Sequence, residues 1–439
     1  MNLEDAMESI IDYRGKTPRK TSSGIPLVTA KIVKGGRILE PQEFIDEAEY
    51  ESWMRRGIPQ EGDVVLTTEA PLGEVAQLPE HKVALAQRII TLRGKTGLLD
   101  NRYLKYLLLS PKMQQTLGGY QTGTTVTGIK QSVLRKVPLC FPDIKSQEVI
   151  AHILGTLDDK IELNQKMNQT LEDIAKAIFK SWFVYFDPVR AKMEGRPTGL
   201  PSEIDELFPD ELVDSEIGEI PKGWILEEGH HLYSHQKGLS YKGKFLSDRD
   251  DDLPMLNLGS FAEDGKYRRE KLKFYCGEFK DRHKIYEGDL LVANTDLTQD
   301  RLIIGSPILV PDTPNESDFY LHTHHTTKIT PTEDSGLTKV FLYFTFLQDS
   351  FRQRVSGFAT GTTVLALPKD TFDALQVVIP SASIRSKFEE IAIPILNRCS
   401  LLAKEIEVLA ELRDTLLPKL ISGELRIPDA EKFLEEAGL

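Results

Sequence analysis

The chain contains two copies of one sequence pattern, and a duplication constrains the fold more than any single motif does. The segment Thr122–Val126 (TGTTV) recurs as Thr360–Val364 at an offset of 238 residues. The same offset relates Pro142 to Pro380 and Leu171 to Leu409. Chance identity between small polar residues is the alternative, and the ordered recurrence of several landmarks argues against it.

Upstream of these landmarks the spacing between the copies is shorter. Pro26–Val28 corresponds to Pro254–Leu256 at an offset of 228, and Glu61–Leu66 corresponds to Glu287–Val292 at an offset of 226. The second copy therefore carries an insertion before its TGTT element.

Each half reads as a mixed α/β or β-rich domain followed by a long helix. Short apolar runs between Gly and Pro residues predict strands at 63–67 and 89–92 in the first half and at 290–293 and 325–329 in the second. Helices are predicted near 103–115 and 340–354. The fold class expected from this pattern is α/β with an internal duplication.

After Pro142 the apolar pattern changes to a heptad repeat, with two asparagines among its inward positions. These seam positions are Ile150, Leu154, Leu157, Ile161, Asn164, Asn168, Leu171, Ala175, Ile178 and Trp182. The 238-residue offset carries the seam to Phe388, Ala392, Ile395, Cys399, Leu402, Ile406, Leu409, Leu416 and Leu420, with Arg413 as the one misfit. Both halves therefore end in a long amphipathic helix.

A helix of about 34 residues rises ~50 Å, so each can act as a spacer. A narrow apolar stripe needs a partner helix, and the other copy is the obvious one, running antiparallel in a pseudo-two-fold arrangement. Packing of each helix on its own domain is the alternative. Pro394 and Pro418 fall inside the second helix and predict a late start, an early end or a kink.

The net charge of -13 is concentrated in one segment. Residues 187–221 carry 3 basic and 10 acidic side chains, together with several prolines and glycines, and are predicted to form an extended surface linker. The remaining domains are close to neutral, so basic groups gathered on one face could still bind DNA. No apolar run is long enough to span a membrane, and a cytoplasmic location is expected.

The chain lacks the nucleotide-binding loops, the zinc-protease helix, the hydrolase elbow and the tetrapeptide that marks amino-methyltransferases. Pro142–Asp143 followed by Asp158–Lys160 superficially resembles a metal-nuclease pattern, but Asp158 and Lys160 lie within the heptad and not on strands. His322 and His324 could share one strand face and bind metal. A polar strand face or contact with DNA is the alternative, and no metal site is predicted.

DNA contact is the use that we predict for the repeated TGTT element and the nearby basic residues. A glycine lets the backbone approach closely, and hydroxyls can bond phosphates or base edges, although the element could equally be a turn. The candidate DNA-binding residues are Lys31, Lys34, Arg37, Arg88, Gln121, Thr122, Thr124, Thr125, Lys130, Arg268, Arg269, Lys271, Lys273, His324, Thr360, Thr362 and Thr363.

Three segments resemble the specificity subunits of type I restriction-modification systems. Residues 142–164 (PDIKSQEVIA to LDDKIELN) resemble their central conserved region, and 412–424 their C-terminal conserved region. Ile220–Trp224 (IPKGW) resembles the opening of their target-recognition domains, an opening that the first half lacks. Arg385–Ser386 stands where the first helix has Gln147–Glu148.

The resemblance implies two α/β target-recognition domains separated by two long antiparallel coiled-coil helices. The expected divisions are a first target-recognition domain (1–143), the central helix (144–186), the acidic linker (187–221), a second target-recognition domain (222–380), the C-terminal helix (381–425) and a tail (426–439). Each domain would read one half of a bipartite double-stranded DNA site, while the helices set the spacing.

Catalysis would belong to partners: two methyltransferase subunits that use S-adenosylmethionine, and a restriction or translocase subunit that uses ATP and Mg²⁺. The resemblance implies that this chain itself is not an enzyme and holds no cofactor. A different duplicated DNA-binding or scaffold protein, and a self-contained nuclease or methyltransferase, are the competing interpretations.

Overall fold

The computed structural model describes residues 1–13, 17–121, 127–262 and 266–436. The chain forms two compact units. The first unit is Met1–Lys166 with Ala403–Leu439, and the second is Met167–Leu402. Each unit therefore combines one α/β region with part of both long helices.

The described residues of the first unit form nine strands and several short helices. Its strands are β1 (Met7–Asp12), β2 (Ile25–Val28), β3 (Val33–Lys34), β4 (Arg37–Ile38), β5 (Phe44–Ile45), β6 (Val64–Thr68), β7 (Leu72–Gln77), β8 (Ala84–Leu85) and β9 (Ile89–Gly94). Its short helices are α1 (Leu3–Ala6), α2 (Tyr50–Trp53), α3 (Asn101–Leu109), α4 (Pro111–Gly119) and α5 (Gln131–Leu134), and the long helix α6 (Ile144–Phe183) begins here.

The second unit has fifteen strands among its described residues, several of them only two residues long. They are β10 (Leu212–Val213), β11 (Ile220–Pro221), β12 (Ile225–Glu228), β13 (Tyr233–Lys237), β14 (Leu246–Ser247), β15 (Leu253–Leu256), β16 (Lys273–Tyr275), β17 (Lys284–Ile285), β18 (Leu290–Ala293), β19 (Thr295–Asp296), β20 (Pro307–Leu309), β21 (Tyr320–His322), β22 (Thr326–Pro331), β23 (Leu365–Ala366) and β24 (Gln376–Ile379).

Six short helices accompany these strands, and two more helices complete the chain. They are α7 (Asp187–Met193), α8 (Ser202–Asp205), α9 (Gly229–Leu232), α10 (Lys339–Leu347), α11 (Asp349–Gly357), α12 (Thr371–Ala374), the long α13 (Ala382–Ser422) and α14 (Ile427–Glu436). None of the helices in the described ranges is long and apolar enough to cross a membrane.

The sheets of the two units have the same topology. The order β1-β9-β6-β7 in the first unit matches β13-β22-β18-β20 in the second. Strand β2 lies between antiparallel β5 and parallel β8, just as β15 lies between antiparallel β16 and parallel β21. The internal duplication of an α/β domain is thus confirmed.

Each predicted short helix is in fact two helices. In the first unit Ser110 ends α3 and its hydroxyl caps α4, whose first residue is Pro111. Proline suits the first position of a helix because the N–H that it lacks would have no hydrogen-bond acceptor within the helix there. In the second unit Gln348 adopts an extended conformation between α10 and α11.

The long helices run antiparallel. In the first unit Lys160 Nζ lies 3.3 Å from Glu405 Oε1. In the second unit the Sγ of Cys399 lies 3.9 Å from the carbonyl oxygen of Asn168, and the rings of Trp182 and Phe388 are 6.4 Å apart. In both units, residues later in α6 contact residues earlier in α13, so the two helices are antiparallel.

The heptad seam faces inward along most of both helices. Buried positions are Ile150, Leu154, Leu157, Ile161, Asn164, Ala175, Trp182, Phe388, Ala392, Cys399, Leu402, Leu409, Leu416 and Leu420. Half-buried positions are Asn168, Leu171, Ile178, Ile395, Ile406 and Arg413. The heptad omits Phe179, which packs against Phe341, Phe344 and Phe388.

Two expectations about irregular segments are wrong. Helix α13 runs from Ala382 to Ser422, so it neither starts late nor ends early at Pro394 and Pro418; each proline removes only its own N–H from the ladder, and seam packing continues on both sides. The acidic segment 187–221 is not extended throughout, since it contains α7 and α8 and buries Val189 and Phe208 in the core of the second unit.

Candidate nucleic-acid interface

Loops from several strands meet at one end of the second unit. The parallel strands β15 and β21 both end there, and the N–H of Thr323 donates to the carbonyl of Leu256 (3.0 Å). Strand β18 also ends there, where the N–H of Asn294 donates to the carbonyl of His325 (3.0 Å). We call this the C-terminal edge of the unit, and the end where these strands begin its N-terminal edge.

The C-terminal edge of the second unit is basic. Its side chains come from the end of β13, the loop between β15 and β16, the start of β16 and the loop after β19. They are Lys237, Arg268, Arg269, Lys271, Lys273 and Arg301. Glu270, which pairs with Arg268 at 3.1 Å, and Asp300 are the exposed acids of the described residues in these segments.

The N-terminal edge of the same unit is acidic. Loops 248–252, 287–289, 311–318 and 331–336 lead into or out of the strands at this end. They carry Asp248, Asp250, Asp251, Asp252, Glu287, Asp312, Glu316, Asp318, Glu333 and Asp334, against the single base Arg249, while Asp289 in the same loops is buried and pairs with Lys328 and Lys339. The charge of the unit is therefore segregated along the strand direction.

The first unit has a similar division. Lys31 after β2, Arg88 after β8 and Lys130 after the repeated element are exposed at its C-terminal edge, where Arg88 pairs with Glu69 at 3.2 Å. At the opposite edge, loops 46–51, 59–63 and 79–82 carry Asp46, Glu47, Glu49, Glu51, Glu61 and Glu80, against Lys82, while Asp63 is buried and pairs with Arg93.

The second TGTT element (Thr360–Thr363) forms a tight turn at the C-terminal edge of the second unit. Thr360 and Ala366 exchange two backbone hydrogen bonds (3.0 and 2.9 Å), and Gly361 has a φ of +123°. A Cβ on Gly361 would lie 2.1 Å from the carbonyl oxygen of Val364, so glycine is required there. The hydroxyl-bearing side chains of Thr360, Thr362 and Thr363 are exposed.

In the first unit Thr122, Thr124 and Thr125 lie outside the described residues. The flanking structure nevertheless repeats: the N–H of Ile129 donates to the carbonyl of Thr68, as that of Leu367 donates to Asn294. Gln121 is exposed on the near side of the element.

Arg37 of the β3–β4 hairpin and Lys266 of the corresponding loop in the second unit both contact α6. Arg37 donates to the side chain of Gln165 and to the carbonyl of Asp158 (3.3 Å), while Lys266 donates to the side chain of Gln169. Lys34 is exposed on the same hairpin as Arg37. The structure thus places Arg37 against the helix, directly across the hairpin from Lys34.

The histidines do not form the pair expected from the sequence. Strand β21 ends at His322, so His324 lies in the following turn and the two do not share a strand face. His322 is fully buried with its Nδ1 3.0 Å from Thr326 Oγ1, and Nδ1 of His325 lies 3.2 Å from Thr295 Oγ1. No group of three potential metal-binding side chains occurs in the part of the chain that the structure describes.

Burial lowers the pKa of His322 to about 3, with the neighbouring His283 and Lys328 acting in the same direction. The unfolded chain takes up a proton below pH ~6.5 and the folded unit does not, so stability falls as pH falls from there. We expect His322→Asn to reduce the slope of unfolding free energy against pH by up to about 1.4 kcal/mol per unit between pH ~6 and ~5.

Urea unfolding of the full chain, read by hydrogen exchange in peptides of the second unit, measures that slope. His230→Asn, at an exposed position, is the matched control. Equal slopes for the wild type and His322→Asn would contradict the prediction, whatever the absolute stabilities.

The residues of the nuclease-like pattern have structural roles. Asp143 precedes α6 and accepts hydrogen bonds from the N–H (3.2 Å) and hydroxyl (2.8 Å) of Ser146, which lower the pKa of the carboxyl. Asp158 is buried in an ion-pair cluster, with Lys105 Nζ and Tyr106 Oη each 2.7 Å from one carboxylate oxygen. Arg413, the misfit of the second seam, donates to the other oxygen at 2.9 Å.

Comparison with known proteins agrees with this fold. Residues 16–173 match the family model described as type I restriction modification DNA specificity domain. The chain is 30% identical over 330 residues to the HindI specificity subunit of Haemophilus influenzae, covering 65% of this chain and 69% of the relative. It is 27% identical over 373 residues to the MjaIX specificity subunit of Methanocaldococcus jannaschii, covering 84% and 78%.

The crystal structure of a type I restriction-modification S subunit from M. genitalium has the same fold. It aligns with a TM-score of 0.59 and 13% sequence identity over 96% of this chain and 95% of that one. The two proteins thus share a duplicated α/β domain with paired long helices, and this fold defines the class to which both belong. The chain belongs to the family of type I restriction enzyme specificity subunits.

Proposed function

We propose that this chain is the non-catalytic, DNA-reading subunit of a type I restriction-modification complex. The observation that carries the proposal is the segregation of charge, with basic side chains gathered at the C-terminal edge of each α/β region and exposed threonine hydroxyls beside them in the second unit. Phosphate binding depends on such local potential, so a net charge of -13 is compatible with it.

Each unit would read one half of a bipartite duplex site. In the second unit the contacts would come from Arg268, Arg269, Lys271, His324 and the turn Thr360–Thr363. In the first they would come from Lys31, Lys34, Arg88, Gln121, Lys130 and the first TGTT element. Exposed bases would contact phosphates, and the loops between them would read base edges. Arg37 would act indirectly, by holding its hairpin on α6.

The helices would set the spacing between the half-sites and provide the docking surface for two methyltransferase subunits and a restriction or translocase subunit. Family membership supports this assignment. The methyl donor S-adenosylmethionine, ATP and Mg²⁺ would be bound by those partners. Asp158 supports the assignment too, because its carboxylate is committed to buried ion pairs within the first unit.

The test is selection of bound sites from randomised duplex DNA by the full chain with its partner methyltransferase. The expected product is two conserved sequences separated by a fixed gap. Recovery of one uninterrupted sequence, or of none, would overturn the proposal.

Lengthening both helices tests the spacing role directly. The boundary between the units falls between Lys166 and Met167 in α6 and between Leu402 and Ala403 in α13. One heptad inserted at both positions preserves the seam and adds ~10.5 Å of helix, or about three base pairs. We expect the gap to change by about that much while both half-sites stay the same.

A control variant keeps the length and replaces only exposed residues of the same heptads. Its selected gap should equal that of the wild type. An unchanged gap in the lengthened protein would show that the helices do not determine spacing.

A further inference from the structure

The two units differ in one connection at the C-terminal edge. In the first unit β6 passes to β7 through residues 69–71, whereas in the second unit β18 passes to β20 through residues 294–306. Part of the insertion expected from the change of offset therefore lies here. The longer connection contains β19, which pairs antiparallel with β23 next to the TGTT turn.

The β19–β23 ribbon ends in an apolar pair. Thr295 pairs with Ala366 and Asp296 with Leu365, so the next residues across the ribbon are Leu297 and Val364. Leu297 is 63% exposed and Val364 is 43% exposed. A single exposed leucine is unremarkable, but two exposed apolar residues that follow the last pair of a ribbon on a basic edge form a distinct apolar tip.

The tip is held in place by hydrogen bonds on both strands. The buried carboxylate of Asp296 accepts from the N–H and hydroxyl of Thr298 and from the N–H of Ile303, each at 2.9 Å. Gln299 Nε2 donates to the carbonyl of Thr362 at 3.0 Å, and Arg301 Nη1 to that of Ser356 at 3.2 Å. A loop fixed in this way loses little conformational entropy when it binds.

We propose that this ribbon tip enters the major groove of the half-site read by the second unit, and that Leu297 and Val364 contact the 5-methyl group of a thymine. The inference rests on the proposed function. The major groove admits a two-stranded ribbon, and the thymine methyl is the apolar feature that the bases present there. The exposed residues Thr298 and Thr363 adjoin the pair in the chain, where phosphates or base edges would lie.

The first unit supplies an internal contrast. Its connection consists of Glu69, Ala70 and Pro71, and Glu69 pairs with Gly128 at the position equivalent to Thr295 with Ala366. Among the described residues of the first unit, no equivalent of Leu297 extends beyond that bridge. Methyl recognition through this element is therefore expected in one half-site only.

Deoxyuridine substitution tests the proposal, because it removes the 5-methyl group and nothing else. Once the site has been selected, each thymine is replaced in turn and the affinity of the full chain with its methyltransferase is measured. We expect about four-fold weaker binding at one or two positions, all in the half-site of the second unit. Leu297→Ala should bind the thymine duplex about that much more weakly and lose the sensitivity to uracil at those positions.

Leu302→Ala is the matched control, since Leu302 is 43% exposed on the same loop but lies outside the ribbon pair. It should retain the wild-type sensitivity. Selective binding that ignores uracil at every position, or sensitivity that survives Leu297→Ala, would overturn the inference and leave the proposed function standing. 2-Aminopurine placed beside the tip reports whether the bases there lose their stacking. A loss of stacking that depends on Leu297 and is not accompanied by any effect of uracil would also overturn the inference, because Leu297 would then be an intercalating wedge. Absence of any sequence-selective binding would overturn the proposed function, and the inference with it.

Discussion

Replacing Asp158 by alanine is expected to lower the free energy of unfolding of the first unit by about 3–5 kcal/mol. Asp158 is only 9% exposed and its carboxylate is shared by Lys105, Tyr106 and Arg413. Removing it leaves Lys105 buried without its carboxylate partner and leaves Arg413 paired only with the exposed Asp414. Urea unfolding read by hydrogen exchange in peptides of the first unit measures the effect separately from the second unit.

Asp159 provides the matched control, because it is the next residue of the same helix and also pairs with an arginine. Its side chain is 69% exposed beside Arg102, so Asp159→Ala should cost less than about 1 kcal/mol. Equal losses for Asp158→Ala and Asp159→Ala would contradict the account of the buried cluster.

The cluster should also respond to acid. Burial raises the pKa of the Asp158 carboxyl, but Lys105, Tyr106 and Arg413 outweigh burial, so the net pKa is lowered. The stabilisation is therefore complete above the pKa of an unfolded aspartate, ~3.9, and is lost as pH falls through the lower folded value. Asp158→Asn should flatten the stability profile in that acidic range.

The second unit shows how the same position can be built without charge. The 238-residue offset carries Lys105 to Tyr343 and Asp158 to Leu396, and carries Arg413 back to Ala175. These three residues belong to the apolar and aromatic core of the second unit. Replacing the charged group as a set, with Lys105→Met, Asp158→Leu and Arg413→Met together, should therefore be less damaging than Asp158→Ala alone.

Charge reversal at the C-terminal edge of the second unit is expected to weaken DNA binding by at least about 100-fold at ~0.1 M salt. The variant carries Lys237→Glu, Lys271→Glu and Lys273→Glu, three basic side chains from separate segments of that edge. Each lost phosphate contact should also make the slope of log affinity against log salt shallower by about one. Fluorescence anisotropy over a salt series measures both quantities.

The control reverses three exposed acids at the N-terminal edge, Asp248→Lys, Asp250→Lys and Glu316→Lys. It changes net charge by the same amount in the opposite sense and tests whether position matters. We expect the salt slope to stay at the wild-type value. Equal and opposite effects of the two variants would show that total charge, and not the C-terminal edge, governs binding.

Much of the fold follows from the sequence because its signals are local or repetitive. Heptad spacing reports the geometry of a helix directly, so both long helices and most of their buried positions could be predicted. The repeat places equivalent strands such as Glu61–Leu66 and Glu287–Val292 in equivalent sheets. Local chemistry also explains the errors: Pro111 favours a new helix start, which divides the helix predicted across it.

The roles of individual charged residues could not be read from spacing. Arg413 breaks the seam pattern, and its meaning appears only when α13 lies beside Asp158 and Lys105. Arg37 resembles the other exposed bases in sequence, yet the fold places it on α6. Such roles depend on partners more than 100 residues away, which no local pattern encodes.

The sequence by itself determined the duplication, the two helices and the family, because each rests on periodicity or on residues adjacent in the chain. Only the tertiary structure decided which loops share an edge, and therefore that bases collect at one end of the strands and acids at the other. The physical reason is that strand direction and sheet order, not distance along the chain, fix which side of a domain a loop occupies. Leu297 and Val364, 67 residues apart in sequence, follow the last pair of the same ribbon for that reason alone.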